Sequence, residues 1–165
     1  MQAAEAITYI HRNGVIHSDL RPENFLLHDS GLSSADGSTS LDLWLCDFGG
    51  STCEVLKLDG GHMPDTPFFD PRIMSWESTP ATDIFSLGSV LYVIMTGYWP
   101  FRTSPPPNTV EDMDVYRDEV DTLFKQGTFP DVSELQSGDV ISGCWENRYK
   151  TAAEVLDDLI LNRPV

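Results

Sequence analysis

Residues 15–27 constrain this chain more than any other stretch, because they place polar, chemically capable side chains between two apolar runs. Asp19, Arg21 and Asn24 follow two apolar residues and a histidine, and the chain then becomes apolar again. Pro22 fixes its own φ and disfavours a helical conformation at the residue before it, so the loop is predicted to be stiff. A stiff loop between two buried segments is how a fold holds reactive groups at its surface.

Taken alone, Asp19 and Asn24 are typical of turns, where short polar side chains bond to nearby backbone. A second motif, Asp47-Phe48-Gly49, follows another apolar run and favours a catalytic interpretation. The pattern His-x-Asp-Leu-x-x-x-Asn followed by Asp-Phe-Gly resembles the catalytic loop and the metal-binding motif of protein kinases. A chance match to the four fixed letters of the first motif is expected on the order of once per thousand chains of this length.

A long apolar segment supports the same resemblance. Residues 79–97 are predicted to form a helix that is buried on all sides, with Thr79 as its N-cap, Pro80 in its first turn and Gly97 at its end. This stretch is similar to the central helix of the kinase fold. Asp83 lies near its start, and a carboxylate at the edge of a core needs donors, for which backbone N–H groups of the catalytic loop are the candidates.

The remaining segments complete the predicted fold. A helix ends near residue 12, and two short strands at 24–28 and 41–46 flank a connection rich in Ser, Gly and Asp. Three more helices are predicted at 111–126, at 137–145 and after the capping box that begins at residue 151. Their predicted apolar members are Val115, Val120, Leu123, Phe124, Val155, Leu156, Leu159 and Ile160.

The predicted fold class is α+β, mostly α. The resemblance implies a kinase-like C-terminal lobe, in which a helical bundle surrounds the central helix and a short β-hairpin carries the catalytic loop and Asp-Phe-Gly.

The resemblance implies a role for each matched residue. Asp19 would accept the proton of the substrate hydroxyl, and Arg21, which stands where Ser/Thr kinases usually have lysine, would reach the transferred phosphate. Asn24 and Asp47 would bind the Mg²⁺ ions that bridge the phosphates of ATP, because Mg²⁺ prefers oxygen ligands. Leu26 would line the floor under the adenine. The residues implied as structural support are His17, Phe48, Gly49, Asp83 and Arg148.

Two departures from the family pattern carry expectations of their own. Ser18 replaces the arginine that in many kinases holds a phosphorylated activation segment, which here spans residues 49–72, so we expect that switch to be missing. Arg72 replaces the glutamate that closes the segment, and the position of its usual partner holds Arg148. These would be two like charges, so either another carboxylate compensates or the segment is loose. Certain fungal kinase-like proteins resemble the chain at both positions.

The sequence contains no Gly-x-Gly-x-x-Gly motif, and its three lysines, Lys57, Lys125 and Lys150, all follow the catalytic loop. The resemblance therefore covers only the C-terminal lobe of the family fold, and residues 1–165 are expected to form a single partial kinase domain. The predicted function is ATP-dependent phosphorylation of protein Ser or Thr, which Arg-Pro-Glu-Asn favours over Tyr, with weak or absent turnover in isolation. The alternatives are a non-catalytic binding or scaffold module and a small-molecule phosphotransferase of the same fold.

The net charge and the cysteine content limit which partners the chain is expected to bind and in which compartment it is expected to lie. With 26 acidic and 10 basic residues, the 165-residue chain carries a formal charge of −16. This charge disfavours nucleic acid and anionic membranes and favours a protein substrate, including a basic peptide, although it also serves solubility. The exposed cleft predicts a second partner, either the N-terminal lobe or a protein that covers it. Three widely spaced cysteines and no signal segment predict an intracellular protein, cytoplasmic or nuclear.

Overall fold

Five α-helices and two small sheets make up the part of the chain that the structure, a computed structural model, describes: residues 1–33, 39–74 and 77–162. The helices are α1 (Gln2–Arg12), α2 (Pro80–Thr96), α3 (Val110–Lys125), α4 (Gly138–Trp145) and α5 (Ala152–Leu161). The strands are β1 (Val15–Ile16), β2 (Phe25–Ser33), β3 (Thr39–Leu45), β4 (Thr52–Cys53) and β5 (Leu58–Asp59). The predicted class, mixed but mostly helical, is confirmed.

The central helix α2 begins and ends where its sequence predicts. The Thr79 hydroxyl accepts a hydrogen bond from the backbone N–H of Thr82, and Gly97 ends the helix in the left-handed region at φ +76°. Its residues 82–92 are buried. The prediction of burial on all sides is wrong in the last turn, where Ile94 and Met95 are 54% and 42% exposed. This turn lines an open groove instead of packing beneath another helix.

The core forms where α2 packs against α4 and α1, with α5 covering α1. Ala4 and Ile7 of α1 are fully buried, as is Trp145 of α4. Phe85 of α2 meets Phe124 of α3 edge to face, with 5.4 Å between the ring centroids. Each such side chain contributes about 1.5–3 kcal/mol when fully buried. None of the helices in the described residues combines the length and the apolar character that a membrane span requires.

Two of the predicted helix stripes differ from the observed burial. In α3, Val120 and Phe124 are buried as predicted, but Val115 is 68% exposed and Tyr116 takes its place in the core. In α5, Ile160 is 50% exposed. Both exposed residues lie beside a buried neighbour, so the apolar stripe is one residue narrower than the pattern indicates.

Strands β2 and β3 form an antiparallel hairpin that is longer than predicted. Phe25 pairs with Leu45 and Asp29 with Leu41, and after an irregularity Ser33 pairs with Thr39. The Ser, Gly and Asp composition predicted a loop from residue 29 to 40, but ladder hydrogen bonds need only backbone, so pairing continues beyond the apolar residues. Residues 34–38 of that predicted loop lie outside the described residues.

A second sheet, of strand order β1-β4-β5, places the start of the activation segment against the catalytic loop. Val15 pairs with Cys53, and Thr52 pairs with Asp59. This sheet was not predicted, because its strands are two residues long and show no alternation that a sequence pattern can detect.

Candidate active site

The catalytic loop is held from below by one buried carboxylate. Asp83, which is 1% exposed, accepts the backbone N–H of His17 at Oδ2 (2.7 Å) and that of Ser18 at Oδ1 (2.9 Å). His11 Nε2 lies 2.9 Å from the same Oδ2. Ser18 adopts φ +69°, a left-handed conformation that is costly for a residue with a side chain. The carboxylate therefore fixes a turn that the backbone alone disfavours.

Above this anchor, Asp19 and Asn24 lie together. The Asn24 amide Nδ2 donates to the backbone carbonyl of Asp19 at 2.8 Å and to its Oδ2 at 3.4 Å. Arg21 Nε lies 3.2 Å from Asp19 Oδ1, an ion-pair distance without hydrogen-bond geometry. A 3₁₀ turn, Pro22–Asn24, brings the amide back over the loop. The arrangement holds one carboxylate between a cation and an amide donor.

The hairpin brings Asp47 to the same place. Strand pairing carries Asn24 alongside Cys46, whose N–H donates to the Asn24 carbonyl at 2.9 Å, and Asp47 follows. Asp47 is exposed, with φ +59°. The ring of Phe48 lies 5.0 Å from that of buried His17, whose Nε2 is 2.9 Å from the Cys46 carbonyl. His17 and Phe48 thus join the catalytic loop to Asp-Phe-Gly by packing.

The donor set at this place suits a magnesium ion with nucleotide phosphates. Because Nδ2 of Asn24 donates to Asp19, its side-chain oxygen Oδ1 can act as an acceptor, and Asp47, which follows the residue that pairs with Asn24, supplies an exposed carboxylate. Both are oxygen ligands, and Mg²⁺ typically takes only one or two protein ligands and completes its shell with water and phosphate. The described residues contain no cluster of three or more His, Cys, Asp or Glu able to hold a metal. The two oxygen ligands offered by Asn24 and Asp47 fit a magnesium ion whose other ligands are water and phosphate.

These side chains line an open face of the molecule. Leu26 and Phe48 are 52% and 46% exposed, and Gly49 is also exposed. Two cavities, of about 610 and 570 Å³, lie elsewhere: one beside α4 and one beneath the start of the activation segment. The candidate site is thus an open surface in the part of the chain that the structure describes.

Two residues of the activation segment reach the site, and sequence reasoning missed both. His62 Nε2 lies 3.6 Å from Asp19 Oδ2, and Asp65 Oδ2 lies 3.7 Å from the Arg21 guanidinium. The backbone path depends on glycine, because a Cβ at Gly60 would lie 2.4 Å from the Gly50 carbonyl carbon. The paired glycines at 49–50 and 60–61 were the one available signal for this close approach.

Arg72 and Arg148 do not form the like-charge pair that the sequence predicted. Arg72 makes two bonds to the carboxylate of Asp70 (2.8 and 2.9 Å), which is buried, and donates to the Trp145 carbonyl. Arg148 instead lies at the surface, 3.1 Å from Glu146. The compensating carboxylate is therefore Asp70, two residues before the arginine, whereas Arg148 contacts Glu146 and donates to the Asp139 carbonyl of α4.

The end of the activation segment has further anchors. The Thr66 hydroxyl donates to Asp121 Oδ1 of α3 at 2.5 Å. From α2, Ser86 donates to the Phe68 carbonyl (2.6 Å) and Ser89 to the Pro67 carbonyl (2.7 Å). Side chains of two helices therefore fix its shape without any added group.

Comparisons with known proteins agree with this geometry. Residues 1–160 match the family described as protein kinase domain. The serine/threonine-protein kinase PknB of Mycobacterium tuberculosis is 29% identical over 164 residues, covering 96% of this chain and 24% of that protein. The serine/threonine-protein kinase PKZ1 of Phytophthora infestans is 32% identical over 110 residues, covering 61% of this chain and 27% of that protein. The chain spans about a quarter of the length of these curated relatives.

Among solved structures, the crystal structure of the Rad53 kinase domain and SCD2 in complex with AMPPNP matches with a TM-score of 0.63. The match is 24% identical in sequence and covers 94% of this chain and 54% of that chain. At this identity the likeness establishes the fold, and that fold is the one expected from the catalytic-loop pattern and the central helix.

Proposed function

This chain belongs to the protein kinase family, and from that premise we propose that residues 1–165 form the C-terminal lobe of a kinase that phosphorylates Ser or Thr in proteins. The observation that carries the proposal is the loop held by Asp83, because one buried carboxylate fixes the turn from which Asp19 and Asn24 project. Phosphoryl transfer depends on positioning and charge stabilisation more than on covalent chemistry, so a rigid loop of this kind is its main requirement.

Each side chain has a defined task in the proposed reaction. Asp19 orients the substrate hydroxyl and accepts its proton, with Oδ2 steadied by the Asn24 amide. Arg21 supplies positive charge where the transferred phosphate would lie. Its planar guanidinium is engaged by Asp19 and Asp65 at once, which a lysine ammonium would do less well.

Asn24 and Asp47 would hold Mg²⁺, and Leu26 would lie beneath the adenine of ATP. When bound, Mg²⁺ neutralises charge on the phosphates during transfer. The Nδ2 of Asn24 donates to Asp19, which leaves the side-chain oxygen Oδ1 as the possible metal ligand. The Asp47 carboxylate is exposed. The side chains present thus fit the proposed role without rearrangement.

We also propose that the activation segment keeps its order without a phosphate. Ser18, at the arginine position, has its hydroxyl turned to the Ile16 carbonyl and offers no positive charge. Direct contacts, Thr66 to Asp121 and Arg72 to Asp70, hold the segment instead. This is consistent with a kinase that does not use phosphorylation of the segment as its switch.

A protein substrate is favoured over a small molecule. The curated relatives PknB and PKZ1 are named serine/threonine-protein kinases, and we extend a protein substrate to this chain by analogy. The formal charge of −16 and the exposed Asp65 next to Arg21 favour a basic peptide. Because ATP would be held from one side, binding and turnover by this chain alone are expected to be weak.

A phosphorylation assay tests the proposal. The 165-residue chain is incubated with γ-labelled ATP, Mg²⁺ and a panel of basic Ser and Thr peptides. We expect slow transfer that falls by about 10²–10⁴-fold in Asp19→Asn, because the carboxylate that accepts the proton is lost. Transfer that survives this substitution contradicts the assignment. Turnover as fast as that of an intact kinase contradicts the expectation that this chain contacts ATP from one side only.

The second candidate is a non-catalytic binding module, which the exposed apolar side chains on the open face favour. Leu26 and Trp44, which pair with each other across the hairpin, are 52% and 55% exposed. In this view a protein, or the N-terminal lobe of a kinase, covers the face. No transfer in the assay, together with no thermal stabilisation at millimolar Mg-ATP, favours this candidate.

A further inference from the structure

The sequence contains three Ser/Thr-Pro dipeptides, and the structure treats them differently. Thr66, before Pro67, is 6% exposed and its hydroxyl bonds to Asp121. Thr79, before Pro80, caps α2 through its hydroxyl. Ser104, before Pro105, is exposed and lies outside any helix or strand. Two of the three hydroxyls therefore have structural tasks, and the third is accessible.

Ser104 lies in the linker between α2 and α3, ahead of three consecutive prolines, Pro105, Pro106 and Pro107. A proline disfavours the helical conformation at the residue before it and favours an extended one. Consecutive prolines favour the polyproline II conformation, whose backbone stays open to a partner. Ser104 is exposed and lies in a bend of this linker, so its hydroxyl and the proline after it are accessible to a proline-directed Ser/Thr kinase.

A cation already stands beside this hydroxyl. The guanidinium of Arg102 donates to Ser104 Oγ at 2.9 Å and, through Nε, to the Pro105 carbonyl at 3.2 Å. It lies over the ring of Tyr116, 5.4 Å from its centroid, and the Tyr116 hydroxyl donates to the Pro100 carbonyl at 2.9 Å. The arginine is thus held in place by a buried aromatic ring of α3.

We propose that Ser104 is a phosphorylation site for a proline-directed Ser/Thr kinase, and that Arg102 binds the phosphate. In the modification, Ser104 Oγ forms a bond to the γ-phosphorus of ATP as the bond from that phosphorus to the bridging oxygen of ADP breaks. The hydroxyl proton goes to the base of the modifying kinase. Guanidinium and phosphate pair through two charge-assisted hydrogen bonds, so the phosphate ties the linker to α3. The proposal does not depend on the activity of this chain.

The first arm of the test maps the site. The whole chain is treated with Mg-ATP and a proline-directed kinase whose activity is verified on a standard substrate, and phosphorylated residues are located by mass spectrometry. We expect phosphate on Ser104, none on Thr66 or Thr79, and no incorporation in Ser104→Ala. An unmodified Ser104, or phosphate on either threonine in its place, overturns the site.

The second arm tests Arg102. The phosphorylated chain is treated with a Ser/Thr phosphatase, and the rate of phosphate release is compared among variants. We expect release about twofold to fivefold faster in Arg102→Gln than in the unaltered chain, an intermediate rate in Arg102→Lys, and no change in Arg117→Gln, which alters an arginine of α3 that pairs with Asp114. Equal rates in all four proteins overturn the pairing of Arg102 with the phosphate.

Discussion

The catalytic loop and the end of the activation segment, residues 65–72, are both irregular chain fixed to the helical core, but by different chemistry. Asp83 holds the catalytic loop through the backbone N–H groups of two loop residues. The end of the activation segment also uses its own side chains, Arg72 with Asp70 and Thr66 with Asp121, in addition to the bonds from Ser86 and Ser89 to its backbone carbonyls. The first anchor is independent of the side chains of the segment that it holds, whereas the second depends on them in part.

This difference explains where the chain departs from its family. At Ser18 the arginine is lost while the anchor on the backbone N–H remains, so the loop keeps its shape. At Arg72 the lost glutamate needed a replacement, and Asp70 supplies it from within the same segment. A loop residue that is held through its backbone N–H can therefore be replaced without changing the shape of the loop. A residue that is held through its side chain can be replaced only with a second, compensating change.

The largest effect on stability is expected when the Asp83 carboxylate, which anchors the backbone of the catalytic loop, is removed. Asp83→Ala leaves two buried N–H groups without an acceptor, and we expect the free energy of unfolding to fall by about 3–5 kcal/mol. Urea denaturation measures it. Asp114→Ala, which removes an exposed carboxylate paired with Arg117, should cost less than about 0.5 kcal/mol. If the free energy of unfolding falls by less than about 1 kcal/mol in Asp83→Ala, the catalytic loop keeps its conformation without the Asp83 carboxylate.

A smaller effect is expected at the side-chain anchor. Arg72→Met keeps an unbranched apolar side chain but removes the cation from buried Asp70 and leaves it with neutral donors, the Asn147 amide and the backbone N–H of residue 72, so we expect a loss of about 2–3 kcal/mol. Arg148→Met is the control, because its partner is exposed, and it should cost no more than about 1 kcal/mol. If both variants unfold at the same urea concentration, Asp70 is not the compensating carboxylate.

The glycine pair at residues 60–61 lies between the catalytic loop and the end of the activation segment, and it allows the close approach of the backbone to be tested. In Gly60→Ala the added Cβ would lie 2.4 Å from the Gly50 carbonyl carbon, whereas at Gly61 nothing lies within 4 Å of a Cβ. We expect a loss of about 1–3 kcal/mol in Gly60→Ala and about 1 kcal/mol in Gly61→Ala, where only the positive φ is costly. Hydrogen exchange at the Gly60 amide, which donates to Ser51, should rise only in Gly60→Ala. Equal exchange in both variants contradicts the close approach.

Alkaline pH should loosen the core beside the side-chain anchor. Burial raises the pKa of the Cys144 thiol from 9 to about 12, so above pH 9 the unfolded chain releases a proton that the folded chain retains. Stability is therefore complete below pH 9 and falls from there towards pH 12, by up to about 1.4 kcal/mol per pH unit for this group. Cys144→Ala should be less stable at pH 7 but lose less between pH 9 and 10. An equal loss in both proteins contradicts this.

Sequence reasoning succeeded where the signal was local or periodic. The caps of α2 and α5, the end of α1 near residue 12 and the position of Asp83 near the catalytic loop follow from short patterns, and all are found. The partner of Arg72 and the approach of His62 to Asp19 were missed, because both depend on how a segment without a period folds back on the core. The catalytic roles of Asp19, Asn24 and Asp47 stay predictions.

The most direct test of the central claim is thermal unfolding of this chain with about 10 mM ATP, with and without Mg²⁺. Asn24 and Asp47 are proposed to bind the metal that the nucleotide brings, so we expect the melting temperature to rise by about 1–3 °C with Mg-ATP. It should not change with ATP and a chelator, nor with Mg-ATP in Asp47→Asn. An equal rise in that variant or without Mg²⁺, or no rise at all, would contradict a magnesium–nucleotide site at the catalytic loop.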